Sequence, residues 1–135
     1  MPEIEAVTAD RLDSLLTDES IPVAHRALWA ALWDETGRLD DLLSADIRDI
    51  DWKASTFTLP AGAKTDAGGT VPVSARTIAL LREAVQGRDA GPLLTAGSGQ
   101  ALSREQAAAV AREAGVGIHV FRLGGQKHRL ERASA

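Results

Sequence analysis

His119 and Arg122 stand three residues apart in "HVFR", within the last stretch of a 135-residue chain. If this stretch opens a helix, that spacing puts both side chains on one face. Arg offers a planar fork of donors that grips a phosphate, and His switches between donor and acceptor. The free backbone N–H groups of a helix's first turn attract anions as well. Two further basic groups are placed where a polar site would want them. Arg38 follows Gly37 at the expected start of a helix, and Lys64 sits in the turn-like "PAGAKTDAGG", where a flexible amine can carry a proton. Taken singly, these are an ordinary surface Arg, loop Lys or helix-end His. Together they make a phosphoryl pocket only if Arg38, Lys64 and Arg122 reach one phosphate, rather than pointing apart or being held in carboxylate pairs.

The elements that must position them follow from periodicity. "TADRLDSLLTDES" predicts a short first helix through Leu12, Leu15 and Leu16, capped by Thr8 or Asp10. "IPVAHRALWAALWDETG" predicts the clearest helix, with Pro22 in its first turn, Leu28/Leu32 and Trp29/Trp33 at i,i+4, and Gly37 as its stop. "RLDDLLSA" predicts another, with Asp40 and Asp41 favouring its positive end. The stretch 46–74 alternates, is rich in Ile, Thr, Phe and Val, and is broken by Pro and Gly. It predicts two or three short strands, with "PAGAKTDAGG" as a hairpin turn. Helical period returns in "ARTIALLREAVQG" and in "SREQAAAVAREAG", where Ser103 and Gln106 make a capping box. A last helix is expected in "HVFRLGGQKHRLERA", against a cost of about 1 kcal/mol each for Gly124 and Gly125 relative to Ala. The outline is α+β: mainly helical, with a small three-stranded antiparallel sheet.

Composition narrows the classes. The length predicts a single domain over residues 1–135. No apolar run approaches a membrane span, and the acidic opening "MPEIEAVTAD" has no signal-peptide core, so no membrane role and a cytoplasmic setting are expected. There is no Cys for a thiolate site, and the three His lack a zinc spacing; neither a metal nor a small-molecule cofactor is expected. Net charge is −4, unevenly spread: residues 1–51 hold 13 acidic and 4 basic side chains, residues 101–135 hold 3 acidic and 6 basic. The later part can present a basic face to nucleic acid, while the first third opposes tight binding.

The order of these pieces resembles the tyrosine recombinases, the phage-integrase family, over roughly residues 22–132. "ETGRLDDLLSADIRDIDW" is similar to the family's first signature through Thr36, Gly37, Arg38, Asp41, Leu42, Leu43, Asp49, Ile50 and Asp51, with one residue fewer between Gly and Arg. "AKTDAGGTVPVS" resembles its lysine hairpin, "LSREQAAAVAREAGV" the helix before its second signature, and "HVFR" its His-x-x-Arg. The resemblance implies a truncated catalytic core in which Arg38, Lys64, His119 and Arg122 surround a DNA phosphate, with Asp41 orienting them. In that family a tyrosine hydroxyl attacks the phosphate while the basic residues stabilise charge and protonate the leaving oxygen.

This sequence contains no Tyr, Leu123 follows Arg122 where the family often has a second His, and Gly124-Gly125 stand where packing residues would be. The resemblance therefore implies an inactive homologue: a recombination- or integration-related domain that binds duplex DNA weakly and in a salt-sensitive way but does not cleave it alone. The alternative is an interaction module that docks a recombinase subunit's tail or self-associates, with Trp29 and Trp33 as residues to watch, though core packing is the commoner use of Trp on an amphipathic helix.

Overall fold

The computed structural model describes residues 7–59, 69–96 and 99–134. In chain order these form α1 (Ala9–Leu16), α2 (Val23–Trp33), α3 (Leu39–Leu43), a 3-10 turn (Ile47–Asp49), β1 (Ile50–Asp51), β2 (Thr56–Thr58), β3 (Thr70–Pro72), α4 (Ala75–Val85), α5 (Arg104–Glu113) and α6 (Val120–Ser134). The expected α+β architecture is observed, with a three-stranded antiparallel sheet in the order β1-β2-β3.

α2 is the hub. Its sequence, VAHRALWAALW, is apolar almost all round, and every residue after Val23 is buried, as expected of a helix packed on all sides. α1, α4, α5 and α6 all lie against it. Trp29 and Trp33 are both core residues, and the Trp29 indole stacks on Phe121 of α6 at 5.0 Å between ring centres. His25 and Arg26 are the polar exceptions. Arg26 satisfies its guanidinium on the Ile21 and Leu16 carbonyl oxygens, while burial holds the His25 pKa below its ordinary value and so keeps the ring neutral.

The end of α2 departs from expectation. Gly37 does not stop it; the helix ends at Trp33 with Asp34 as C-cap, and Glu35 itself takes the left-handed conformation at φ 56°. Gly37 supplies room instead, since a Cβ there would stand 3.3 Å from the Phe57 ring. Asp34 then ties this end of α2 to α4: Ser74 Oγ and Thr77 Oγ1 donate to its Oδ2 at 2.7 and 2.8 Å.

The sheet is small and its register is set by one ring. Phe57 is fully buried on β2, paired with Ile50 of β1 and Val71 of β3, while its neighbours Thr56 and Thr58 face outward. The expected hairpin joins β2 to β3, but its tip, including Lys64, lies outside the described residues.

α6 carries the largest surprise. The two glycines that weigh against a helix lie inside it, because they let it close onto the core. A Cβ on Gly124 would collide with the Val7 carbonyl oxygen and stand 2.8 Å from the Trp33 ring; one on Gly125 would collide with the Trp33 carbonyl oxygen. These positions do pack the helix, by having no side chain. The propensity penalty of about 1 kcal/mol per glycine is offset by the packing that close approach permits.

Candidate functional site

α3 and α6 bring two of the four basic residues together. Arg38 is the N-cap of α3, held by half of a capping box: its backbone N–H donates to Asp41 Oδ2 at 3.2 Å. Asp41 thus fixes the main chain at Arg38 and leaves the side chain to extend. Among the described residues no ion pair or side-chain hydrogen bond engages the Arg38 guanidinium. Arg122 lies in the first turn of α6. Both arginines line a surface cavity of about 160 Å³, together with Glu35, Thr36, Asp41 and Val71. Two arginines far apart in sequence therefore border one small surface cavity.

His119 stands one residue before α6, rather than inside its first turn, and is exposed. It borders a neighbouring cavity of about 200 Å³, shared with Arg122, Leu123 and Gln126. Arg122 thus borders both cavities. Lys64 falls outside the described residues, and its relation to this group is not part of the geometry.

Glu35 also belongs to the site, and neither composition nor motif spacing pointed to it. Arg122 Nε–H donates to Glu35 Oε2 at 3.1 Å, Gln126 Nε2 donates to the same oxygen at 3.1 Å, and Arg129 Nη2 donates to Oε1 at 2.8 Å. Arg129 is pinned a second time, its Nη1 donating to the Trp33 carbonyl oxygen at 2.7 Å. Burial alone would raise the Glu35 pKa, but the hydrogen bonds from Gln126, Arg122 and Arg129 outweigh it, and the net shift is downward. Glu35 is therefore ionised at neutral pH, and Arg122 is not free: one carboxylate pair already holds it. The signal for this cluster was present as Arg122, Gln126 and Arg129 at i, i+4 and i+7, one face of a helix. The partner on that face was not readable, because Glu35 comes from another helix end and is aimed by its left-handed backbone.

Thr36, beside Glu35, is buried, and its hydroxyl oxygen has no hydrogen-bond partner among the described residues. No group of three or more His, Asp or Glu that could hold a metal ion occurs among the described residues, nor is any helix there long and apolar enough to cross a membrane.

No protein-family model matches the sequence, and no curated protein matches it either. Solved structures do match. The crystal structure of XerA recombinase superimposes with a TM-score of 0.74 at 17% identity, covering 98% of this chain and 52% of that one. The fold is tyrosine-recombinase-like. The Tn1549 transposon integrase, solved in complex with circular intermediate DNA, gives a TM-score of 0.73 at 12% identity and covers 98% of this chain and 54% of its own. The chain thus spans about half the length of these recombinases. At such low identity the likeness is one of backbone course, and the residues that carry chemistry must be argued from this chain's own geometry.

Proposed function

We propose that this recombinase-like chain is a DNA-backbone-binding domain related to recombination or integration, one that grips a phosphate through Arg38 and Arg122 without cutting the strand. The observation that carries this reading is the convergence of the two arginines, one on α3 and one on α6, at a single surface cavity. Because Glu35 holds Arg122 in the free protein, contrary to the condition that no carboxylate pair engage it, the grip requires that carboxylate to give way. Asp41 positions Arg38 through its main chain, and His119 adds a ring donor at the neighbouring cavity that Arg122 also lines. Two guanidiniums suit the non-bridging oxygens of a phosphodiester, and they read the backbone rather than the base sequence. Lys64, on the hairpin, would join them by resemblance to the family. The 135 residues contain no tyrosine, so the proposal extends to a phosphate grip and not to cleavage.

The test is fluorescence anisotropy of a labelled non-specific duplex at two salt concentrations, with Arg38→Ala and Arg122→Ala beside the unsubstituted protein. Each phosphate contact contributes a slope of about −0.9 in log K against log salt. The expected result is weak, salt-sensitive binding that falls several-fold in both variants. Equal binding by all three proteins would remove the cavity from the account.

A second reading has its own observation. Leu123 and Leu130, two turns apart on α6, are 48% and 69% exposed. These apolar side chains support docking of a protein, either a recombinase subunit or a second copy of this chain, on the outer face of α6. Concentration-dependent sedimentation of the Leu123→Ser, Leu130→Ser double variant against the parent protein tests self-association.

A further inference from the structure

We infer that Arg122, Gln126 and Arg129 form a built anion seat on α6, filled in the free protein by the Glu35 carboxylate and taken over by a DNA phosphate on binding. The inference rests on the backbone-binding reading above and adds two residues and a competitor to it. Three donors converge on two carboxylate oxygens, the arrangement a phosphodiester's two non-bridging oxygens would also accept. One member of the seat, Arg129, is held independently of its occupant. Arg129 keeps one guanidinium nitrogen on the Trp33 carbonyl oxygen and turns the other toward the anion. That carbonyl is itself held against α6 by the absence of a Cβ at Gly125. The seat is also reachable from solvent, since the side chains of Arg122, Arg129 and Glu35 are 46%, 42% and 34% exposed.

The occupant accepts from all three donors and is carried on a strained backbone. Glu35 sits just past the end of α2 in a left-handed conformation that costs a non-glycine residue about 1 kcal/mol or more. A small backbone change there would swing the carboxylate away and relieve that cost. Its departure would free Arg122 beside Arg38 on the same cavity, and with it the Gln126 amide and one Arg129 nitrogen at the seat, which do not line that cavity. Glu35 therefore acts as an internal stand-in for phosphate: it keeps two solvent-reachable arginines paired in the free protein and lowers the affinity for DNA by competing with it.

The experiment compares the parent protein with Glu35→Gln, Arg129→Ala, the double variant, and Glu83→Gln, which removes the same charge from the exposed surface of α4. Each is titrated with a labelled non-specific duplex at low and moderate salt, after circular dichroism has established folding. Expected is a gain of several-fold in affinity for Glu35→Gln, with a salt slope steeper by about one phosphate contact. The Glu83→Gln gain should be much smaller, Arg129→Ala should weaken binding, and the double variant should lose the Glu35→Gln gain. A Glu35→Gln gain no larger than that of Glu83→Gln, or one that survives Arg129→Ala, overturns the seat. If Arg38→Ala still weakens binding in that case, the backbone-binding reading stands without it. If no protein in the set binds at low salt, both fall together.

Discussion

The two sides of α6 meet the rest of the molecule by opposite physics. On one side Phe121 stacks on Trp29, and Gly124 and Gly125 press against Val7 and Trp33 with no room for a methyl group. On the other side Arg122, Gln126 and Arg129 surround a single carboxylate that solvent can reach. The first side is dry, steric and not exchangeable. The second is polar, screened and, in the proposed seat, replaceable by another anion. The dry side fixes where the helix lies, and in doing so fixes where the guanidiniums point. A helix that can lie so close to α2 without a side chain between them holds Arg129 within reach of the Trp33 carbonyl.

Substitutions that break this contrast rank by size. Trp29→Ala removes the largest fully buried ring and the stack on Phe121, and should cost about 3–5 kcal/mol in chemical denaturation. Gly125→Ala is the sharper case, because propensity and packing give opposite signs. Helix propensity favours Ala by about 1 kcal/mol, whereas the collision with the Trp33 carbonyl oxygen forces the helix outward, a cost of overpacking of about 1–3 kcal/mol or more. Net destabilisation is expected; a gain in stability would mean that α6 does not lie on α2 as described. Asp34→Ala, which strips the Ser74 and Thr77 hydroxyls of their acceptor at the end of α2, should cost about 1–2 kcal/mol.

On the polar side, Arg129→Ala should change stability by about 1 kcal/mol or less, since exposed ion pairs contribute little, while under the proposed anion seat DNA binding should fall several-fold. A large loss of stability with no loss of binding would invert the contrast. The smallest effect is on acidification. The Glu35 pKa is lowered in the folded protein by its contacts with Arg122, Gln126 and Arg129, with Arg38 and Asp41 lining the same cavity. The folded protein therefore gains stability from this group above the ordinary carboxylate pKa and loses it as pH falls through the depressed folded value. Stability of Glu35→Gln and the parent should converge in that acid range and differ slightly at neutral pH, as read by denaturant midpoints at both conditions.

Much of the fold was legible because its signals are local. The capping box at Ser103 and Gln106, the Thr8 cap and the apolar period of α2 each specify an element from neighbouring residues. What was not legible depended on partners from elsewhere in the chain. Gly37 reads as a helix stop, yet its use is to admit Phe57; Gly124 and Gly125 read as helix weakeners, yet they are contact surfaces. In the site, Arg38, His119 and Arg122 were readable as candidates through their order and residue type, and two of them share a cavity. Glu35 and Arg129 were not, since an ion pair between the end of α2 and the third turn of α6 leaves no trace in either segment alone. A formal charge count could not show that one of the candidate arginines is already neutralised.

The most direct measurement follows the arginine side chains themselves. In ¹⁵N-labelled protein, the Nε–H signals of Arg38 and Arg122 are monitored by NMR as a short duplex is added, with Arg48 and Arg76, each paired to its own carboxylate on other surfaces, as internal references. The expected result is that Arg38 and Arg122 shift together and saturate at the same DNA concentration while Arg48 and Arg76 stay in place. Shifts confined to Arg48, Arg76 or other surface arginines, with Arg38 and Arg122 unmoved, would contradict a phosphate grip at the α3–α6 cavity.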